Sequence, residues 1–149
     1  MKQEHLEQAR HNAGLVRYLE ENIPDSFHDW KVTICFYEAL HLVRAFLCTQ
    51  GIGSSDNHNH TLNCINPRAR EKPPKHVPMP GLYPAYFRMY QLSKAARYHG
   101  FLQKRSFEQQ QMDNFKEAKE CLGIIQADLL TRGFQWLASQ PIAATKKAR

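Results

Sequence analysis

The fold turns on Val32 to Cys48, VTICFYEALHLVRAFLC, an almost unbroken apolar run in which only Glu38, His41 and Arg44 interrupt. At helical spacing Phe36, Leu40, Val43 and Leu47 form one seam, and Val32, Cys35, Ala39, Leu42 and Phe46 form a second on another side. A helix apolar nearly all round is an enclosed one, by protein or by lipid. A membrane span needs about 20 apolar residues with few or no charges, and this run is shorter and thrice broken. It predicts the central helix of a soluble all-α bundle with no membrane contact.

Working outward, Lys2 to Asn22 repeats Leu6, Ala9, Ala13, Val16 and Leu19 (or Leu15) at three- and four-residue steps, which predicts a first helix. Pro24 closes it, because the residue before a proline is pushed out of helical geometry. Asp25 or Ser26 is placed to cap the next helix, and Gly51 to stop it. Asp56 offers a cap to a short helix over Asn57–Asn66, which Pro67 closes. Residues 67–81, PRAREKPPKHVPMPG, hold five prolines and read as an extended connection. Leu82 to His99 predicts a fourth helix with Pro84 in its first turn. Ser106 with Gln109 fits a capping box, opening a last helix to about Ser139 along Phe115, Ala118, Leu122, Ile125, Leu129 and Trp136. No alternation signals a strand, so the expected architecture is an up-and-down bundle of four long helices plus a short one over 1–140. A basic tail follows over 141–149.

The chain has 149 residues and a formal charge of +6, enough for one sizeable core and a bias towards anionic partners. Cys35, Cys48, Cys64 and Cys121 are scattered, with no CxxC pair. That argues against a disulfide framework and for a reducing compartment. The charged start MKQEHLEQAR has no apolar signal core, so the expected location is the cytoplasm.

Three groups of residues can carry chemistry. Glu38 and His41 form a single Glu-x-x-His pair, a spacing that carboxylate-bridged metal bundles use twice. Arg44, one turn on, repels a cation, so the simpler reading is a buried polar stripe whose members satisfy one another. His58, His60 and Cys64 supply three potential zinc ligands where a structural site needs four. The stripe Tyr83, Tyr86, Tyr90, Lys94 and Arg97 alternates aromatic and basic side chains. It reads either as core with tyrosine hydroxyls at the rim or as a single-stranded nucleic-acid surface. Arg97, Tyr98 and His99 end that helix as a polar cluster beside Gly100. No phosphate-cradling glycine loop or nucleophile elbow is present.

Asp29-Trp30, Phe36-Tyr37 and His41 resemble the second-helix signature of HEPN-type bundles. His58 and His60 with Leu62-Asn63, then Tyr90, Leu92-Ser93 and Ala96-Arg97-Tyr98, are similar to the further landmarks of one bacterial branch. The resemblance covers about residues 25–100. It implies a small helical bundle, often dimeric, that either accompanies a nucleotidyltransferase or acts as a metal-independent ribonuclease in toxin–antitoxin and defence systems. Ribonuclease members carry an Arg, about four to six residues, then a His, paired across a dimer cleft. Arg70 and His76 meet that spacing, but in the proline-rich loop, whereas the family places the pair on a late helix. Arg97 and His99 lie too close together.

The leading expectation is therefore a HEPN-like binding or accessory bundle, a homodimer without cofactor or metal. It contacts RNA or a nucleotide through Arg97, His99 and the basic loop. The alternatives are an endoribonuclease with an Arg/His pair acting as acid–base and charge stabiliser, and a metal-binding bundle centred on Glu38, His41, His58 and His60.

Overall fold

A computed structural model describes residues 1–53, 57–98 and 104–136, with side chains from residue 106 onward in the last segment. Five helices follow in order: α1 (Lys2–Asn22), α2 (His28–Thr49), α3 (His58–Ile65), α4 (Tyr83–Tyr98) and α5 (Lys104–Thr131). No strand occurs among the described residues, and the chain is an all-α bundle. His99, Gly100 and the tail 141–149 lie outside the described residues.

The pairings between helices give their directions. His5 meets His41, and Lys31 near the start of α2 reaches Ile23 just past the end of α1, so α1 and α2 are antiparallel. Phe36 packs on Tyr86 while Tyr37 meets Arg97, and Arg88 meets Glu117 while Gly81 lies against Asp128. His28 contacts Phe115 and Phe46 contacts Phe134, so α2 and α5 run the same way. The long helices thus go up and down in turn. Helix α2 packs on α1, α4 and α5, and α3 touches α4.

Both apolar seams of α2 are buried: Val32, Phe36, Ala39 and Val43 are wholly inaccessible. Enclosing one such phenylalanine is worth about 2–3 kcal/mol in transfer free energy. By length and composition α2 alone among the described helices could cross a membrane, yet 72% of its most apolar window is covered by protein. In α1 the buried line is Leu6, Ala9, Asn12 and Val16, with Leu15 exposed. Asn12 holds the position because its amide oxygen accepts from Gln8 at 3.0 Å.

Several ends differ from expectation. Helix α5 stops at Thr131, short of Ser139, because Gly133 takes φ 78. The Phe134 N–H then donates to Leu129 at 3.0 Å and the Gly133 N–H to Leu130 at 2.9 Å, a Schellman end. Gly51, at φ 76, ends α2 the same way through Leu47 and Cys48. Asn57 caps α3, its side chain accepting from the Asn59 N–H at 2.9 Å; Asp56 lies outside the described residues. Neither Asp25 nor Ser26 caps α2. Its N-cap is Phe27 at φ 58 and ψ 33, with no side-chain cap. Ser106 falls inside α5 instead of opening it.

The proline-rich connection is tied down. Val77 and Met79 donate to the carbonyls of Cys64 and Ile65 at 2.8 and 2.9 Å, and Met79 and Leu82 are fully buried.

Candidate functional site

The polar stripe of α2 does not satisfy itself. Helical spacing places Glu38, His41 and Arg44 along one side, yet each finds its partner on a different element. Glu38 accepts from Gln126 of α5 at 3.5 Å, and burial, opposed by Arg17, pushes its carboxyl up to about 7. The Nδ1 atoms of His41 and His5 of α1 stand 2.9 Å apart, one donating to the other. Burial, then His5 and Arg44, press His41 down to about 4. Arg44 donates through Nε to Thr61 Oγ1 of α3 at 3.2 Å, while its Nη2 has no partner. A buried guanidinium without a carboxylate keeps its field unneutralised, which is why it also lowers His5 and His58.

Beside Arg44, the aromatic residues of α2, α3 and α4 converge. The His58 ring sits 5.8 Å from Phe36, 6.2 Å from Tyr37 and 5.6 Å from Tyr90. Burial, then Arg44 and Arg97, lower its pKa, so the ring is neutral near pH 7. Arg97 holds the rim: Nη1 donates to the Tyr37 hydroxyl at 3.3 Å, and the guanidinium lies 5.9 Å from the Tyr37 ring and 5.1 Å from the Tyr98 ring. The Lys94 ammonium stands 4.5 Å over Tyr90. Tyr98 is 72% exposed. A small cleft of about 170 Å³, walled by Asp29, Trp30, Thr33 and Ala96, opens beside Arg97.

The aromatic–basic stripe of α4 therefore splits. Tyr86 is core, with its phenol pushed up by burial; Tyr83 stacks on Phe87; half-buried Tyr90 and Arg97 with exposed Lys94 form the edge. His58 joins that edge, whereas His60 turns away and its Nε2 lies 3.6 Å from Cys64 Sγ. Residues two apart on a helix do not face one another, so the two histidines and Cys64 do not converge.

Arg70 and His76 are not brought together. Arg70 is exposed, while His76 Nε2 donates to the Asn66 carbonyl at 2.8 Å. The neighbouring Lys75 ties the loop to the Gly51 carbonyl at 2.6 Å. These residues brace the connection, and no hydrogen bond or ion pair joins Arg70 to His76 among the described residues. No group of three His, Cys, Asp or Glu side chains is placed to hold one metal ion among the described residues. His99 lies outside them.

Two contacts could not be read from the sequence. His5 pairs with a residue 36 positions away, and no local pattern signals that contact. Tyr37 reads as one aromatic among many until Arg97 docks on it. Fold and site together define a helical bundle with an aromatic, positively edged face over α2, α3 and α4. No protein-family model matches the chain, and no curated protein or solved structure does either.

Proposed function

We propose that the chain is a HEPN-like binding or accessory protein that contacts RNA or a nucleotide through His58, Tyr90, Lys94, Arg97 and Tyr98. The observation that carries this reading is the pairing of cations with aromatic rings: Lys94 on half-buried Tyr90, and Arg97 on half-buried Tyr37 and exposed Tyr98. Rings of this kind stack bases without choosing among them, and the cations beside them neutralise phosphates. The motif resemblance adds a homodimer and a nucleotidyltransferase partner to the proposal, and light scattering on the purified chain reads the first directly.

Anisotropy of a labelled single-stranded RNA tests the face. Lys94→Ala and Arg97→Ala should each weaken binding and reduce the salt slope by about one. Tyr98→Ala should cost about 1–3 kcal/mol for one lost stacking platform. Undiminished affinity in the triple variant would refute the assignment.

A ribonuclease reading is favoured at one place only. His58, neutral and under the field of Arg97, is a better acid–base and charge-stabilising pair than Arg70 with His76. It requires RNA cleavage that survives EDTA, disappears in His58→Ala and persists in His76→Ala.

A further inference from the structure

A cleft of about 340 Å³ opens where the start of α2 faces the first turns of α5. It is separate from the RNA-facing edge, although Asp29 and Trp30 border both clefts. Three aromatic side chains wall it, Phe27, Trp30 and Phe107, and two carboxylates stand among them, Asp29 and Glu108. None of the described lining residues is Lys or Arg, in a chain where basic residues outnumber acidic ones 20 to 14. The cleft is thus an acidic, ring-lined site on a basic protein.

Its inner wall holds an unpaired acceptor. Gln111 also lines the cleft, is only 3% exposed, and its Oε1 has no partner. His28 Nδ1 is likewise buried and unpartnered. Burial, then Lys31, lower the pKa of His28 despite Asp25, Glu108 and Asp29 nearby. An unsatisfied buried acceptor costs about 1–3 kcal/mol, and Gln111 lines this cleft. Backbone strain adds to this: Phe27 sits at φ 58, which costs a bulky residue about 1–2 kcal/mol and leaves its ring 55% exposed at the mouth. Strain of that sort gathers at ligand clamps.

We propose that this cleft binds a primary alkylammonium group on an apolar arm, the chemistry shared by polyamines and the lysine side chain. The aromatic faces attract the cation. Asp29 and Glu108 balance its charge, and its N–H donors supply the partner that the Gln111 oxygen lacks. An anion would meet two carboxylates and no described cation in the wall, and a neutral hydrocarbon would leave the Gln111 oxygen unpaired.

Trp30 is the reporter, because it is 58% exposed while Trp136, the other tryptophan, is 3% exposed. The full chain is titrated with spermidine and, in parallel, with Nα-acetyl-lysinamide, each against magnesium chloride at equal ionic strength. The expected result is a saturable change in Trp30 emission with the amines and none with magnesium. Glu108→Gln, at an exposed position, should bind about tenfold more weakly through loss of one charge beside the cation. Gln111→Leu, with its fold checked by circular dichroism, should weaken binding by removing the buried acceptor. Tighter spermidine identifies a free polyamine and tighter lysinamide a lysine side chain; either supports the ammonium site. A response reproduced by magnesium, no saturation by either amine, or unchanged affinity in both variants would overturn it.

Discussion

At its C-terminal end α2 runs into Gly51 at φ 76, and the following Ile52 returns its N–H to Leu47 at 3.0 Å. Phe46 there is buried edge-on against Phe134, itself the first residue past the glycine end of α5. At its N-terminal end the same helix starts from a left-handed Phe27 with no side-chain cap, with Trp30 open to solvent between two clefts. One end places glycine where the backbone needs it and seals the core. The other tolerates a strained phenylalanine and exposes its rings. Sealing with the right residue is how stability is built, and the opposite end forgoes it.

The difference is sharpest in packing. Phe46→Ala at the sealed end should cost about 3–5 kcal/mol, from lost transfer energy and the cavity left against Phe134. Trp30→Ala at the open end should cost less, about 1–2 kcal/mol, because more than half of that residue is already exposed. Urea unfolding of both variants reads the contrast. Similar losses would mean that Trp30 is covered in solution and that the open end is not open.

Between the two ends, Glu38 and His41 set opposing pH dependences. Glu38 sits at about 7 in the fold against an ordinary 4.5, so its protonated form is favoured and stability is lost as pH rises through that interval. His41 sits at about 4 against an ordinary 6.5, so its neutral form is favoured and stability is lost as pH falls through that one. From 4.5 to 6.5 the two slopes oppose each other. Glu38→Gln should therefore stabilise the chain by about 1–2 kcal/mol at pH 8 and unmask a steeper loss on acidification. Unfolding midpoints from about pH 4 to pH 8 test this. A variant whose profile parallels the parent would show that Glu38 titrates normally.

What could be read from the sequence follows the same division. The buried rod of α2 was legible because a run apolar on every side has few homes, and Gly51 was read as its stop. Gly133 carried an equal stop signal for α5, but Trp136 continued the apolar spacing beyond it and drew the expected helix on to Ser139. The polar stripe was readable as a position and not as a partnership. Spacing says that Glu38, His41 and Arg44 share a side, while Gln126, His5 and Thr61 arrive from three other helices. His58 and His60 suggested a joint ligand set because they are neighbours in sequence, yet two-residue spacing sends them to different surroundings. No sequence signal marks Phe27 as left-handed, since the residue itself disfavours that conformation.

The smallest effects test the same contrast at two single backbone positions, one a glycine helix stop and the other the strained Phe27. Gly133→Ala places a Cβ in open space, with no heavy atom within 4 Å, so only the positive φ penalises it. The expected cost is about 1 kcal/mol. Phe27→Gly does the reverse, releasing a strained φ of 58 at a residue that is 55% exposed. It should stabilise the chain by about 0.5–1 kcal/mol, the strain relieved less the larger entropy of an unfolded glycine. If the exposed ring is retained as a wall for a bound ammonium group, that gain in thermal stability will come with weaker spermidine binding at Trp30. A destabilised Phe27→Gly would instead show that the ring holds the α1–α2 turn together, and the strain at this end would then be structural.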